Sequence, residues 1–277
     1  MLTYCYAKGK IVRLSQATVP ANDLAILRGY AVFDFTRIYN GRPFHLKDHW
    51  ARFNRSAREL DLKVPVKLTE VEQAISDLLK KNKVKDASVR LVLTGGASVD
   101  SIAKGPAEFF ILMDYHYNLP PAVFTEGARL ITYELQRVLP TAKNTNYAAA
   151  VKLQKDLKKA KAVEVLYVNN GAILECSTSN FFIVKNKVII TPKDKILTGV
   201  TRQIVLRLAR KKYKIEERSL KFVELKTADE AFLTASNKYV TPVVKVDEMV
   251  IGSGRVGEVT KELLATYHEE IKKECYS

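Results

Sequence analysis

Tight turns set between short apolar runs recur along this chain and constrain its architecture more than any other feature. Asn40-Gly41 stands between Phe35-Thr36-Arg37-Ile38-Tyr39 and Pro43-Phe44-His45. Asn-Gly tolerates the two positive φ angles of a type I′ hairpin, so the flanking runs are expected to pair as antiparallel strands. The same reasoning joins the 163–168 run to Ile173-Leu174 through Asn170-Gly171, and 181–184 to 188–190 through Lys185-Asn186-Lys187. Lys8-Gly9 reads as one more hairpin turn. From Lys47 the period becomes helical: Trp50, Phe53, Ala57 and Leu60 share a face, which leaves Arg52 and Arg55 off it. Thr69 and Glu72 have capping-box spacing ahead of Val71, Ile75, Leu78 and Leu79, announcing a second helix. Two further strand-like runs, 88–93 and 108–113, flank the flexible turn Thr94-Gly95-Gly96-Ala97-Ser98. Strands and helices mixed in this way imply an α+β fold.

Tyr117-Asn118-Leu119-Pro120-Pro121 combines turn residues with two prolines and reads as a linker. The expected division is therefore a small N-terminal α/β domain over 1–116, a linker over 117–122 and a larger strand-rich domain over 123–277. The larger domain is expected to carry three helices: one from Ala148, one from Thr201 with Ile204, Val205, Leu208 and Ala209 inward, and one over 257–271. A chain of 277 residues buries a sizeable core without staples. Cys5, Cys176 and Cys275 are odd in number and far apart, which fits neither a disulfide framework nor a zinc site and suits a reducing, cytoplasmic setting. Lys8 and Lys10 interrupt any signal-peptide core, and no apolar run has membrane-spanning length. The formal charge of +15 is concentrated in 155–161, 210–212 and 272–273, which read as solvated helix faces and ends. No nucleic-acid motif accompanies it. A basic, non-catalytic nucleic-acid binder is the competing reading from another class, and it would be colourless with steeply salt-dependent binding.

Several segments carry a resemblance. Lys143 lies in Leu139-Pro140-Thr141-Ala142-Lys143-Asn144-Thr145-Asn146-Tyr147. Before it come Arg28-Gly29-Tyr30-Ala31-Val32-Phe33-Asp34 and His49-Trp50-Ala51-Arg52-Phe53-Asn54-Arg55-Ser56-Ala57. After it come Glu175-Cys176-Ser177-Thr178-Ser179-Asn180-Phe181, Leu197-Thr198-Gly199-Val200-Thr201-Arg202, and Thr234-Ala235-Ser236-Asn237 through Val240-Thr241-Pro242-Val243. In this order and spacing the segments resemble the class IV aminotransferases, the fold-type IV pyridoxal-phosphate enzymes, which include D-amino-acid and branched-chain aminotransferases and aminodeoxychorismate lyases. The resemblance implies the two-domain fold of that group, pyridoxal 5′-phosphate as cofactor, amino acids and 2-oxo acids as substrates, and a ping-pong reaction. It also implies a homodimer in which a loop of the partner completes each cleft, with Arg28 acting in its own or the partner's site. Neither nucleic acid nor membrane is an expected partner.

The resemblance also assigns roles. Lys143 would be joined to the cofactor, and Glu175 would hold a proton on the pyridine nitrogen so that the ring draws electrons. Arg52, Ser236 and the helix start at Gly199-Val200-Thr201 would bind the phosphate, the last through amides aimed along the helix dipole. Arg55 is the weaker candidate. Tyr147 would bond the ring oxygen, and Ser179 and Asn180 would line the cofactor site. Arg28, Phe33, Arg90 and Asn237 are candidate substrate contacts, and Arg90 is notable as a charge inside an apolar strand run, where a structural ion pair is the alternative. No metal site is expected. The interval from Lys143 to Asn146 equals that of the D-amino-acid enzymes and is one residue shorter than the branched-chain pattern. However, the turn Thr94-Gly95-Gly96 lacks the arginine those enzymes usually carry in Thr-Arg-Gly. Cys176 stands where Gly is usual and Thr198 where Pro is common. A D-amino-acid aminotransferase with a different carboxylate trap is the first expectation, a branched-chain L-amino-acid aminotransferase the second and aminodeoxychorismate lyase the third.

Overall fold

A computed structural model describes residues Met1–Ser277. The chain forms two compact units, one of Met1–Tyr117, Ala142–Asn146 and Ile271–Ser277, the other of Asn118–Thr141 and Tyr147–Glu270.

In the first unit, β1 (Tyr4–Ala7) and β2 (Lys10–Arg13) form a hairpin turned by Lys8 and Gly9, both at positive φ. The short helix α1 (Leu24–Arg28) is capped by the Asp23 carboxylate, which accepts from the Ala25 amide at 2.7 Å, and it ends at Gly29 in the left-handed region. β3 (Ala31–Tyr39) then turns at Asn40-Gly41, with φ of 49° and 79°, into β4 (Arg42–Pro43). Two helices follow, α2 (Leu46–Glu59) and α3 (Leu68–Asn82), and then β5 (Ala87–Thr94) and β6 (Phe109–Asp114). The sheet has six strands in the order β2-β1-β6-β5-β3-β4. Its period-two alternation sends Val32 and Ile38 of β3 and Val89, Leu91 and Leu93 of β5 into one core with Phe53, Ala57, Ile75 and Leu78 of the helices. Phe33, Phe35 and Arg90 belong to the other face, and Phe35 pairs directly with Arg90. The anticipated capping box at Thr69 and Glu72 is absent. The helix starts at Leu68, and the Glu70 carboxylate instead accepts from the Lys67 amide at 2.7 Å.

Residues 142–146 leave the stretch of chain that flanks them. The Phe33 amide donates to the Lys143 carbonyl at 2.9 Å, the Thr145 amide donates to the Ala31 carbonyl at 3.0 Å, and Asn144 bridges Val32. The segment thus lies antiparallel beside the start of β3, with its unpaired backbone groups satisfied there. The linear division of the chain, which leaves the lysine with 123–277, misses this pairing across more than a hundred residues.

The second unit contains α4 (Ala122–Glu126), β7 (Ala128–Glu134), α5 (Ala148–Lys152), α6 (Gln154–Ala160), β8 (Glu164–Asn169), β9 (Ala172–Cys176), β10 (Asn180–Lys185) and β11 (Val188–Thr191). Then come α7 (Val200–Ala209), β12 (Ile215–Glu217), β13 (Leu220–Lys221), β14 (Glu230–Ala235), β15 (Tyr239–Val246) and β16 (Met249–Val250). The last helix, α8 (Glu258–Cys275), ends in residues grouped with the first unit. Ten strands form one sheet in the order β12-β11-β10-β14-β15-β7-β8-β9-β13, with β16 on β15. Leu166, Ile173, Phe181, Ile183, Leu233 and Val243 fill its core. Five helices occur where three were expected, because α4 forms from the proline-led turn and the Ala148 helix breaks at Leu153. No helix is long and apolar enough to cross a membrane.

Candidate functional site

The first unit brings Lys143, Arg52, Phe33 and Arg90 together. Lys143 is fixed through its backbone: its amide donates to Ser56 Oγ of α2 at 3.0 Å and its carbonyl accepts from β3. Its side-chain amine lies over the Phe33 ring, 4.5 Å from the centroid. On the same sheet face the Arg90 guanidinium lies 5.9 Å from the Phe33 centroid and 6.0 Å from that of Phe35. Arg90 is exposed and leans on aromatic faces rather than on a carboxylate, so the structural ion pair offered as its alternative is not formed.

Arg52, expected off the apolar face of α2, is buried there, and its partners account for it. Its Nε and Nη2 donate to the Asp34 carboxylate at 2.8 Å each, while His49 Nδ1 meets the same carboxylate at 2.7 Å. Burial alone would raise the Asp34 carboxyl, but the Arg52 charge and the hydrogen bonds from Arg52 and His49 outweigh it and hold the group well below the usual carboxylate range. Burial pushes the His49 imidazole down, and the charges of Arg52 and Lys143 add to that; the pull of Asp34 does not offset them. Asp34 therefore aims Arg52 by two of its three nitrogens, leaving Nη1 for an outside acceptor such as a phosphate oxygen. Arg55 is exposed. Arg28 ends α1 with an exposed side chain whose Nη1 donates to the Leu27 carbonyl at 2.8 Å.

The second unit holds Glu175, buried at 5% exposure. One carboxylate oxygen accepts from Arg137 Nε at 2.8 Å, and the other accepts from the Leu197 amide at 3.0 Å. Arg137 also donates to the Pro140 carbonyl at 2.6 Å. Ser179 and Asn180 spend their side chains inside the protein: Ser179 Oγ donates to Glu164 at 2.6 Å and Asn180 Nδ2 donates to the Leu197 carbonyl at 2.8 Å. What they do here is brace the surroundings of Glu175. α7 begins at Val200, one residue before the expected Thr201, with Gly199 as an N-cap that offers no side chain. A Cβ at Gly199 would collide with Asn180 Oδ1, so the glycine is required by close approach. The helix start is left with uncapped amides, which is the donor arrangement an anion needs. Thr201 is buried with its hydroxyl 3.4 Å from that of Tyr267. Ser236 and Asn237 sit at the tip of a turn closed by the Lys238 amide on the Ala235 carbonyl at 3.1 Å. The Tyr147 side chain lies near Tyr167, whose hydroxyl is pushed up to about 12 by burial first and by Tyr147 second.

Sequence reasoning missed Arg137, Glu164 and Lys238 and treated Asp34 and His49 only as parts of matching segments. The available signals were weak: an acid amid the apolar residues of β3, another amid those of β8, and a lysine ending the Ser236-Asn237 turn.

A sequence model of the family described as amino-transferase class IV matches residues 31–246. A putative branched-chain-amino-acid aminotransferase of Methanocaldococcus jannaschii is 33% identical over 270 residues, covering 93% of each chain. A D-alanine aminotransferase of Listeria monocytogenes is 28% identical over 274 residues, covering 96% of this chain and 95% of that one. The crystal structure of the T.th. branched-chain amino acid aminotransferase with pyridoxamine 5′-phosphate superposes with a TM-score of 0.88 at 29% identity, covering 97% of this chain and 94% of that one.

Proposed function

The chain belongs to the class IV aminotransferases, whose cofactor is pyridoxal 5′-phosphate, and on that premise we propose that it moves the amino group of a D-amino acid to a 2-oxo acid. Each unit carries groups of the kinds the cofactor needs: the first a primary amine at Lys143 and a guanidinium at Arg52, the second a held carboxylate at Glu175 and an uncapped helix start at Gly199. When bound, pyridoxal phosphate supplies an aldehyde that condenses with amines and a ring that takes up the electron pair left when the α-hydrogen departs. Lys143 is the amine assigned to that aldehyde between turnovers. Once substrate displaces it, neutral Nζ would take the α-proton and return it on the far side of the amino nitrogen, two bonds away. Glu175, oriented by Arg137 and the Leu197 amide, would accept the hydrogen bond of the protonated ring nitrogen. Arg52 Nη1, the Val200 and Thr201 amides and Ser236 are the groups that would hold the phosphate, and Tyr147 the one that would bond the ring oxygen.

The observation that carries the substrate reading is that one ring, Phe33, bears both the Lys143 amine and the Arg90 guanidinium. A cation at that position is suited to a substrate carboxylate and ill suited to an aliphatic side chain, which would strip it of water without a partner. Arg28 supplies a second exposed cation, Asn237 a polar edge, and the interval from Lys143 to Asn146 supports the D-amino-acid type. A branched-chain L-amino-acid enzyme is the second reading, supported by the likeness to the branched-chain-amino-acid aminotransferase of Methanocaldococcus jannaschii.

Mixing holoenzyme with single D- and L-amino acids and following the shift of the cofactor spectrum to the pyridoxamine form decides between them. Conversion by D-amino acids is expected. Conversion by L-leucine, L-isoleucine and L-valine alone would leave the second reading standing. Arg90→Ala is expected to raise KM for the amino donor by ~10–100-fold, the worth of one charged hydrogen bond, with the cofactor retained. Loss of the cofactor from that variant would instead give Arg90 a structural role. The reading includes a homodimer, which sedimentation at the mass of two chains would support and at the mass of one would refute.

A further inference from the structure

Glu164 and Lys238 form a buried ion pair that none of the assigned roles uses. Glu164 of β8 is 2% exposed and Lys238, in the turn just before β15, is 8% exposed. Their charged atoms are 3.3 Å apart. Around the carboxylate the turn 177–179 is wrapped: Ser177 Oγ donates at 3.2 Å, Thr178 Oγ1 at 2.8 Å, Ser179 Oγ at 2.6 Å, and the Thr178 amide donates as well. Lys238 Nζ donates to Thr178 Oγ1 at 2.6 Å. That turn follows Glu175 directly and leads into Asn180, whose amide group holds the Leu197 carbonyl while the Leu197 N–H holds Glu175. The backbone of Lys238 closes the other turn. Its N–H donates to Ala235, and its carbonyl accepts from Thr241 Oγ1 at 2.5 Å, fixing Ser236 and Asn237 between.

We propose that Lys238 and Glu164 are positioning residues, a buried latch that joins the turn behind the ring-nitrogen carboxylate to the turn presenting Ser236 and Asn237 to the cofactor. The inference rests on the cofactor reading of Glu175 and Ser236. A buried pair of this kind adds little net stability over an apolar pair, because desolvation consumes most of the attraction. What it does supply is register: four donors and one cation converge on one carboxylate, and each turn can satisfy them in one place only. The titratable groups that interact with Glu164 are Lys238, the Tyr167 hydroxyl and the Cys176 thiol. Burial pushes the last two up, so they stay uncharged at neutral pH. Burial would likewise raise Glu164, but the Lys238 charge and the hydrogen bonds of Ser179 and Thr178 bring it below its ordinary value. Without the lysine, the burial effect is opposed by the hydrogen bonds alone, and the carboxyl is expected to take up a proton as the solution is acidified. A protonated Glu164 must donate where it had accepted, and the 177–179 turn loosens.

The test uses full-length protein stripped of cofactor and titrated with pyridoxal phosphate between pH 5.5 and 8.5, with binding read from absorbance and folding from circular dichroism. Lys238→Met is expected to weaken binding by at least ~10-fold at the acid end and by less at the alkaline end. Lys238→Arg should bind within a few-fold of wild type. The double variant Lys238→Met with Glu164→Gln should lose the pH dependence. Folded Lys238→Met protein that binds like wild type at every pH overturns the proposal, and so does a loss that is equal at every pH and unrelieved by arginine. Should Lys238→Met fail to fold, Thr178→Val carries the test, since it keeps both charges and removes only the bridging hydroxyl. Binding weakened ~3–10-fold is expected there, and unchanged binding overturns the proposal. Failure of the wild type to take up cofactor would sink the functional reading, whereas wild-type uptake matched by Lys238→Met sinks this inference alone.

Discussion

Lys143→Ala is expected to stop amino transfer, lowering kcat by roughly 10⁴-fold or more, because one side chain both holds the cofactor and carries the proton. The loss should be chemical rather than structural. The contacts that fix residue 143 are made by its backbone, to Ser56 Oγ and the Phe33 amide, and alanine keeps both. The substitution removes the amine and its place over Phe33. Borohydride reduction of wild-type holoenzyme followed by peptide mass analysis should place the cofactor on the peptide containing Lys143, and the variant should carry none. Lys238, a buried lysine, is committed to Glu164 and Thr178 and is not expected to substitute. Turnover within ~10-fold of wild type in Lys143→Ala would remove the basis of the assignment.

What could be read from the sequence and what could not divides by the range of the interactions. The hairpins at Lys8-Gly9, Asn40-Gly41, Asn170-Gly171 and Asn186-Lys187 were legible because a turn is set by the φ preferences of two adjacent residues, and all eight of those residues adopt positive φ. The parallel pairings of β7 with β8 and of β15 with β7 were not legible, since nothing local specifies which distant strand a strand will join. The same limit hid the move of 142–146 to the edge of β3, which is specified by unpaired backbone groups far away in sequence. The site residues follow this division. Lys143 and Glu175 stand in recognisable segments, whereas Arg137, Asp34 and Glu164 act by orienting other side chains, and a partner at long separation leaves no periodic trace. At Arg90 the sequence left a substrate contact and a structural ion pair open, because the apolar strand run does not say which of the two strand faces residue 90 takes; it takes the exposed one.

Asp34→Asn should be the most destabilising single change in the first unit, costing about 3–5 kcal/mol near neutral pH, because it leaves the Arg52 guanidinium buried without its counter-charge. Asparagine keeps the shape of the site but offers one acceptor oxygen where Arg52 and His49 now use two. The sole tryptophan, Trp50, stacks on Phe53 within α2, the helix that carries both His49 and Arg52, so its fluorescence in urea reports this region directly. The pH dependence adds a second check. Asp34 has a depressed carboxyl, so its contribution is fully present above the unfolded carboxyl value of about 3.9 and is lost only as the solution is acidified through the still lower folded value. His49 also has a depressed value, so below about 6.5 the unfolded chain binds a proton that the folded chain refuses, and stability falls with acidification from that point. Removing Asp34 deletes the one group that raises His49, which widens the window over which stability is lost toward acid. The variant should therefore be weaker than wild type at pH 7.5, and the gap should increase at pH 5. Equal urea midpoints at pH 7.5, or a gap that closes as the pH falls to 5, would show that Asp34 does not hold this helix, and with it Arg52, in place.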